Sequence, residues 1–502
     1  MPQLDIFLEN LKISAGMFIP EFILTATFIL AILFDLIFIK SRNISGYIVI
    51  LGFILTGIFL YLQIGTNYRA FSDLLVIDDF GNFFKFLILI TSILVVIMSM
   101  FSKELYTEHR KLGEYYSMIA GMTFGMFLLC GSSNLIMIYL AIETMSISSY
   151  ILAGYTKEVK RASEASLKYV IFGAVSSGIM IFGISLIFGL TGHLNLFEIN
   201  KFLASNEVNI FALFISSLMI VAGFGYKISA VPFHFWTPDV YEGAPITITA
   251  YLSVASKAAG FAVLLRFLKI GFIDSIPGYD NIWTTLSGID WNFVIAVLSV
   301  LTMTLGNLVA VWQTNLKRLL AYSSIAHAGY LLMGVAVLDN SGAAAVLIYF
   351  FVYMLMNLGA FYVVMLIANK IGSEDIEDYN GLGYRTPVLG VCMTLFLISL
   401  TGLPPTAGFI GKLFIFSAVI NAGYIWLAVI GVLNSVVSLY YYVKIFKNMY
   451  LKDVESKKPA IEYTAPSLVL LMIFAIPTLL FGIFYGPIVD WANNSVHIFL
   501  GN

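Results

Sequence analysis

The sequence predicts an all-α polytopic membrane protein. Of its 502 residues, 60% are hydrophobic and only 11% are charged, whereas soluble domains have about 45–50% apolar and about 25% charged residues. Apolar runs of roughly 20 residues, the length that a helix needs to cross a bilayer, follow one another along the chain. In lipid the backbone must satisfy its own hydrogen bonds, so we expect each run to be helical.

About fourteen such runs are predicted, and most of the connections between them are short. Short connections make consecutive helices antiparallel neighbours, and no hydrophilic stretch is long enough to form a soluble domain. The runs lie near residues 16–38, 46–64, 82–101, 115–130, 133–155, 165–190, 208–230, 244–268, 291–313, 319–337, 341–369, 388–418, 424–443 and 463–488. We therefore predict a single membrane domain over residues 1–502.

Basic residues are distributed unevenly between the two sets of connections. The odd-numbered connections carry seventeen lysines and arginines, including Lys40, Arg42, Arg110, Lys111, Lys457 and Lys458. The other side carries five, among them Arg266. Because basic residues concentrate in cytoplasmic loops, we expect the odd-numbered connections in the cytoplasm and both termini on the outer side.

Several classes of function find no support in the sequence. The net charge of −2 provides no bulk attraction for nucleic acid. Cys130 and Cys392 lie in separate apolar runs without metal-ligand spacing, and neither a nucleotide-binding motif nor a cysteine cluster for iron–sulfur ligation is present. We expect no cofactor and no metal in this chain, so a partner must supply the energy for any transport.

Five lysines fall within the predicted runs: Lys85, Lys168, Lys227, Lys257 and Lys412. A charge at the centre of a bilayer costs a few kcal/mol or more and usually has a function. Lys85 is near the outer end of its run, and we expect its ammonium group to extend to the interface. Lys168 is near a cytoplasmic end, where an interfacial and a functional position are equally compatible with the sequence. The other three are predicted to be functional.

Proline-rich breaks interrupt two of the runs. Pro232 and Pro238 follow Lys227, and Pro404 and Pro405 precede Lys412. Non-helical backbone at membrane depth is tolerated only where protein or water surrounds it. The breaks therefore predict polar chemistry inside the membrane.

Three further ionisable residues complete the candidate site. Glu143 is the carboxylate deepest within a run, and a buried carboxylate needs a partner or a proton; a buried lysine is the expected partner. His327 lies in the middle of a run and His234 lies in the first break. A histidine titrates near neutral pH and can relay protons, although a lone histidine on an apolar face is more often a hydrogen-bonded core residue.

The spacing of these residues indicates an internal repeat. Glu143 precedes Lys227 by 84 residues, and His327 precedes Lys412 by 85. Each pair joins the second and fourth helices of a five-helix unit, helices 4–8 in residues 115–270 and helices 9–13 in residues 291–450. Units with an odd number of helices must be inverted relative to each other, as in many transporters. Helices 1–3 in 1–114 and helix 14 in 463–502 flank them.

Long motifs in the chain resemble the antiporter-like membrane subunits of respiratory complex I. They include KISAVPFHFWTPDVYEGAPITITAYLSVASKAAGF at 227–261, NLKRLLAYSSIAHAGYLLMG at 315–334 and LTGLPPTAGFIGKLFIF at 400–416. EASLKYVIFGAVSSG at 164–178 also fits. A lysine at 412 and a chain that ends soon after the last run are typical of one subunit type within this family.

The resemblance implies a role for each candidate residue. Glu143 would modulate Lys227, which would exchange protons with the cytoplasm. Lys257 would pass them through His327 to Lys412, the terminal donor toward the outside, and Lys168 could assist.

The resemblance also implies a setting. The chain would be one proton-translocating unit in a bacterial inner membrane, beside other membrane-arm subunits. Flavin, iron–sulfur clusters and quinone would be bound by other subunits. Two alternatives remain open at this point: an Mrp-like cation/proton antiporter, and a structural subunit whose polar residues are relics.

Overall fold

The computed structural model describes residues 2–38, 43–106, 112–274, 283–452 and 463–498. Within these ranges most residues are helical, which confirms the predicted all-α fold. Six basic residues of the orientation argument lie outside the described ranges: Lys40, Arg42, Arg110, Lys111, Lys457 and Lys458.

Helices and short connections alternate along the chain. The helices of the first part are α1 (Pro2–Met17), α2 (Ile19–Ile37), α3 (Ile44–Tyr61), α4 (Asp79–Met100), α5 (Gly113–Gly131), α6 (Leu135–Ala153) and α7 (Lys160–Thr191). Those of the middle part are α8 (Leu196–Ser205), α9 (Ile210–Ile228), α10 (Trp236–Gly243), α11 (Ile246–Tyr251) and α12 (Lys257–Phe272). A five-residue π turn over Leu252–Ser256 joins α11 to α12 without interrupting the helical path.

The remaining helices follow the same pattern. They are α13 (Trp291–Ala310), α14 (Leu316–Val337), α15 (Asn340–Ile371), α16 (Leu382–Arg385), α17 (Pro387–Thr401), α18 (Ala407–Asn421), α19 (Ile425–Leu451), α20 (Ala465–Leu480) and α21 (Gly486–Ser495). Short 3₁₀ turns cover Leu286–Gly288 and Ile376–Tyr379. Two small antiparallel hairpins pair β1 (Tyr68–Ala70) with β2 (Leu75–Ile77), and β3 (Ile273–Asp274) with β4 (Thr284–Thr285).

Asparagine and aspartate side chains begin many of these helices. Each accepts a hydrogen bond from a backbone N–H of the first turn, a group that has no partner inside the helix. The residues that do so are Asp78, Asn134, Asn195, Asn209, Asp290, Asn315 and Asp339. These caps place a polar residue at the first boundary of each of these helices.

In the described part of the chain, eleven helices are long and apolar enough to cross a membrane. Three shorter apolar helices accompany them: Pro387–Thr401, Ala407–Asn421 and Ala465–Leu480. The chain is therefore a multi-pass membrane protein. Each of the fourteen predicted runs overlaps a helix or a helix pair, but the number of crossings, the inverted repeat and the domain boundaries stay predictions.

The most deeply buried helices lie at the centre of the bundle. The helical path Ile246–Phe272 is buried along its whole apolar window, and α14 and α15 are buried almost as completely. In contrast, α2 and α7 expose much of their apolar surface. Two of the three central helices carry Lys257 and His327, so these residues stand in the interior of the protein.

Candidate functional site

The first break separates α9 from α10. Helix α9 ends at Ile228, Ser229 adopts a left-handed conformation, and α10 begins at Trp236. The carbonyl groups at the end of α9 are satisfied by the chain that follows: Ala230 N–H donates to the Gly225 carbonyl over 2.8 Å, and the Trp236 Nε1–H donates to the Tyr226 carbonyl over 2.9 Å. The chain after the break therefore holds two carbonyls of the last turn of α9.

Lys227 stands in the last turn of α9 and is buried. Its Nζ has no hydrogen-bond partner among the described residues. Instead, three aromatic rings surround it, with the ring centres of Tyr150, Tyr169 and Tyr226 5.7, 5.6 and 5.3 Å from Nζ. Aromatic faces attract a cation without accepting a full hydrogen bond. Lys227 is thus held loosely, and none of its protons is committed to a protein acceptor.

Glu143 lies on α6, and its side chain is partly exposed on the surface of the protein. The Ser177 hydroxyl on the neighbouring helix α7 donates a hydrogen bond to its Oε1. Within the described residues no ion pair links Glu143 to a lysine, so any interaction with a buried lysine acts over a longer distance, and that partnership stays a prediction. Tyr150, seven residues further along α6, lies against Lys227. The same helix therefore carries the Glu143 carboxylate and one of the aromatic rings that contact Lys227.

Lys257 begins α12 immediately after the π turn and is buried. Such turns inside α-helices frequently occur at functional sites. Its Nζ donates to the Ser324 carbonyl of α14 over 2.7 Å. Gly260, one turn later, packs against α9: a Cβ there would stand 2.6 Å from Ile228 Cγ2 and 3.6 Å from Lys227 Cβ. The missing side chain brings the backbones that carry the two lysines together.

His327 is buried on α14 between two tyrosine hydroxyls. Its Nδ1 lies 2.7 Å from the Tyr349 hydroxyl, and its Nε2 lies 3.3 Å from that of Tyr442. The Tyr353 ring lies 5.1 Å away, and the Tyr353 hydroxyl donates to Ser324 Oγ over 3.0 Å. Lys257 and His327 are therefore linked through the backbone and side chain of Ser324 and one tyrosine.

The second break separates α17 from α18. Gly402 adopts a left-handed conformation after Thr401, and α18 begins at Ala407. Lys412, in α18, turns back to this break: its Nζ donates to the Thr401 carbonyl over 2.7 Å and to Ser435 Oγ over 3.0 Å. The Lys412 amine thus satisfies a carbonyl at the end of α17 that has no partner within its own helix.

Tyr330 connects Lys412 to His327. Its ring centre lies 4.4 Å from Lys412 Nζ and 5.8 Å from the His327 ring centre. Its hydroxyl accepts a hydrogen bond from Asn307 over 3.1 Å. The structure therefore brings Lys257, His327 and Lys412 into one series of contacting groups, whereas the first lysine joins that series through helix packing.

Lys168 and His234 lie at the edge of this series. Lys168 is partly exposed and forms ion pairs with Glu164 at 2.8 Å and Asp239 at 2.7 Å. Asp239 also pairs with Arg318 at 2.6 Å. Burial by itself would raise the pKa of the Asp239 carboxyl, but the hydrogen bonds from Lys168 and Arg318 hold that pKa below its ordinary value. His234 is buried in the first break, and its Nδ1 has no partner among the described residues.

The interfacial position predicted for Lys85 is wrong. Lys85 is buried and its Nζ lies 2.6 Å from Oε1 of Glu21, which is equally buried. A partner 64 residues away in the sequence therefore holds the charge inside the protein. The carboxylate of Glu21 near the start of the first run was the available signal, because a charged residue in an apolar run needs a partner.

The assignment of Arg266 to a connection between helices is also wrong. It lies in α12, fully buried, and donates two hydrogen bonds to Asp78 over 2.8 and 2.7 Å. Bidentate pairs of this kind are strong and fix geometry. The pair joins the start of α4 to α12.

Residues that could hold a metal ion do not cluster in the part of the chain that the structure describes: no group of three or more histidine, cysteine, aspartate or glutamate residues occurs there. Cys130 and Cys392 are both free thiols and buried. The site's chemistry in the described residues consists of amines, two imidazoles, hydroxyls and carboxylates. Such groups bind and release protons.

Comparisons with known proteins identify the family of this chain. A family model described as NADH:quinone oxidoreductase/Mrp antiporter, TM, matches residues 132–438. The chain is 51% identical to NADH-quinone oxidoreductase subunit N 2 of Chloroherpeton thalassium, over 97% of this chain and 96% of that protein. It is 46% identical to subunit N of Chlorobium chlorochromatii, over 99% of this chain and 98% of the relative.

Solved structures agree as well. Respiratory complex I from Thermus thermophilus contains a chain with a TM-score of 0.76 and 28% identity, covering 94% of this chain and 98% of that one. An Mrp complex from Dietzia contains one with a TM-score of 0.77 and 18% identity, covering 96% and 97%; at that identity the likeness shows the fold alone. The chain therefore belongs to the NADH:quinone oxidoreductase/Mrp antiporter family of membrane proteins, among the relatives named NADH-quinone oxidoreductase subunit N.

Proposed function

We propose that this chain moves protons from the cytoplasm to the outside along the series Lys227, Lys257, His327 and Lys412. It does so as a membrane-arm subunit of a redox-driven proton pump, NADH:quinone oxidoreductase. Its partners are the other membrane subunits of that complex. The oxidation of NADH and the reduction of quinone take place elsewhere in the complex, where flavin and iron–sulfur clusters are bound.

One observation carries the proposal. Lys227, Lys257 and Lys412 are all buried, and in the described residues none of them has a carboxylate partner within ion-pair distance. An uncompensated charge in apolar surroundings is costly. A small change in the neighbouring charge therefore suffices to load or unload a proton at each amine. The paired residues Lys85 and Arg266 lack this property.

Glu143 supplies such a change at the first lysine. It lies on the helix that also places Tyr150 against Lys227, and its carboxylate is held by a single described side-chain hydrogen bond, from Ser177. A movement of this carboxylate toward α9 favours the charged form of Lys227, and its withdrawal favours release. The partial exposure of Glu143 allows a neighbouring subunit to control that movement.

Protons enter near the first break in this scheme. The cluster of Lys168, Asp239 and Arg318 is the polar surface next to α10, and His234 occupies the break itself. These are secondary groups on the way to Lys227. The orientation with both termini on the outer side places this cluster at the cytoplasmic face, in keeping with the basic residues there.

Protons leave through the second half. Lys257 contacts Ser324, and Tyr353 contacts both Ser324 and His327. Tyr330 lies between His327 and Lys412. Lys412 is the last amine of the series and lies at the second break. Residues 115–270 and 291–450, the predicted membrane helices 4–8 and 9–13, act as two inverted units. Each has a broken helix and its own buried lysine, as in transporters built from repeats.

The experiment is proton pumping by the reconstituted complex with single substitutions in this chain. The series is Glu143→Gln, Lys227→Met, Lys257→Met and Lys412→Met, with assembly scored separately. Lys160→Met, at an exposed lysine at the start of α7, is the matched control. We expect each lysine variant to lose at least about 90% of proton transport, whereas the control keeps it. Normal pumping by the assembled lysine variants would instead assign these residues a structural role.

Cation/proton antiport is the second candidate, favoured by the fold likeness to the Mrp complex. It predicts sodium flux through this chain alone in liposomes. The proposed function predicts none without the partner subunits, because the energy for transport comes from them. Sodium flux that depends on Lys227 in the isolated chain would favour antiport.

A further inference from the structure

A groove of about 650 Å³ lies at the C-terminal end of α19 and is separate from the proton series. One wall is the last part of α19, and the other is formed by Thr314 and the 3₁₀ turn at Ile376 and Glu377. The groove has an apolar part and a basic part, and the two are arranged in sequence along α19. This arrangement resembles that of a phospholipid, which has apolar chains and a charged head.

The basic part consists of Lys444, Lys447 and Lys452. Lys444 donates one hydrogen bond to the Gln313 carbonyl over 3.0 Å. Lys447 and Lys452 are exposed and have no ion pair in the described residues. Among the described residues that line the groove, the carboxylate is Glu377, so lysines outnumber carboxylates there. Three amines around one concavity form a site for a phosphate group.

The apolar part continues as a stripe along one face of α19. Its members recur at helical spacing and are largely exposed: Val429, Val432, Leu433, Val436, Tyr440 and Val443. The stripe runs over fifteen residues, from Val429 to Val443, a rise of about 21 Å along the helix. One leaflet of the hydrocarbon core is about 15 Å thick. The stripe is therefore long enough to contact an acyl chain through the depth of one leaflet while its phosphate remains at the lysines.

Aromatic residues mark the level of the membrane surface at this place. Trp312 is 82% exposed in the connection between α13 and α14, next to the Gln313 carbonyl that Lys444 contacts. Tyr440 is 64% exposed on α19. Tryptophan and tyrosine concentrate where hydrocarbon meets the headgroups. The lysines therefore stand at headgroup depth.

We infer that this groove binds an anionic phospholipid, with its phosphate among Lys444, Lys447 and Lys452 and an acyl chain along α19. The charge of the groove argues for a lipid over a helix of a partner subunit, because a transmembrane helix would have to bring several carboxylates to one membrane depth. The inference does not depend on the proton series.

Photo-crosslinking tests the inference in the assembled complex in liposomes. The probes are phosphatidylglycerol and phosphatidylcholine with a diazirine in one acyl chain, and labelled peptides are mapped by mass spectrometry. We expect phosphatidylglycerol to label the peptide over 429–452 at least about fivefold more than phosphatidylcholine. The double variant K447Q/K452Q removes two exposed charges without breaking an ion pair, and it should abolish that preference.

The matched control is K157Q/K160Q, which removes two exposed lysines from another connection on the same predicted side. It should leave the labelling of 429–452 unchanged. Equal labelling by the two lipids, or a preference that survives K447Q/K452Q, would overturn the inference. So would crosslinks from this peptide to a partner subunit in place of lipid, since the groove would then be covered by protein.

Discussion

The two helix breaks solve the same problem in different ways. At the first break, backbone N–H groups and Trp236 satisfy the Gly225 and Tyr226 carbonyls of α9, and Lys227 Nζ has no hydrogen-bond partner among the described residues. At the second break, Lys412 itself donates to the last carbonyl of α17. Lys227 therefore has no role in holding the first break together, whereas Lys412 helps to hold the second.

This difference accounts for an irregularity in the predicted repeat. Lys227 precedes its prolines and Lys412 follows Pro404 and Pro405, yet both belong to the carbonyl end of the helix before the break. That end of a helix carries partial negative charge and favours a cation. Lys227 stands there within its own helix, and Lys412 reaches it from the next one. The two halves match in electrostatics better than in residue order.

The surroundings of the two lysines differ in the same sense. Aromatic rings surround Lys227, whereas hydroxyl and carbonyl oxygens bind Lys412. Release of a proton from Lys412 requires hydrogen bonds to change, and His327 nearby is also held by two hydroxyls. The Lys227 amine is therefore held loosely by aromatic rings, whereas directed hydrogen bonds hold the Lys412 amine.

The largest expected effect comes from closing the space beside Lys412. Gly402 has φ +87°, and a Cβ there would stand 2.6 Å from Lys412 Cδ. Gly402→Ala therefore adds about 1–2 kcal/mol of backbone strain and about 1–3 kcal/mol for displaced hydrogen bonds. We expect low yields of assembled complex and little pumping.

Gly423→Ala is the control for strain alone. Gly423 has φ +84° with nothing within 4 Å of the added Cβ. The variant should lower the midpoint of thermal dissociation slightly and pump normally. Equal damage from the two substitutions would show that the contact with Lys412 has no importance of its own.

The next effect is a difference in stability between the Lys412→Met and Lys227→Met variants. Lys412→Met leaves the buried Thr401 carbonyl without its donor, which costs about 1–3 kcal/mol, whereas Lys227→Met removes no hydrogen bond in the described structure. Lys412→Met should therefore be the less stable of the two by that amount. Denaturation of the isolated chain in detergent measures the difference, and a reversed order would contradict the comparison.

A smaller effect is expected from single hydroxyl groups. Tyr349→Phe removes the 2.7 Å contact with His327 and should lower proton flux about two- to tenfold, the range for one net hydrogen bond. Tyr150→Phe keeps the ring beside Lys227 and should change flux less than about twofold. Flux measurements in which Tyr150→Phe is the more harmful variant would mean that the first half also depends on hydroxyls.

The smallest effect concerns the polar cluster beside the first break. Asp239→Asn removes ion pairs with Lys168 and Arg318 that are partly exposed, so it should destabilise by less than about 1 kcal/mol. The lowered pKa of Asp239 means that its stabilisation is present at neutral pH and is lost as pH falls through that pKa. Unfolding measured from pH 7 to 3 should show the variant and the wild type converging in acid; a constant gap would contradict this.

Much of the candidate site is visible in the sequence for a simple reason. A lysine within an apolar run is rare enough to stand out, and Lys227, Lys257 and Lys412 are all buried as expected. The fold class follows from the same apolar runs. The prolines mark both breaks, because they cannot continue a helix.

The rest depends on contacts between distant parts of the chain. Lys85 and Arg266 are near the ends of their runs, and only Glu21 and Asp78, 64 and 188 residues away, decide that they are buried pairs. Tyr349 and Tyr442 read as apolar aromatics until their hydroxyls are seen at His327. The π turn before Lys257 has no side-chain pattern that distinguishes it from an α-helix.

Proton transport by the complex carrying Lys227→Met, Lys412→Met or both tests the central claim most directly, with quinone reduction recorded in parallel. If both lysines belong to one series, each single variant stops transport, and the double variant is no worse than the worse single variant. If the single variants each keep about half of the flux and their losses add in the double variant, the two half-sites conduct independently and the single series is wrong.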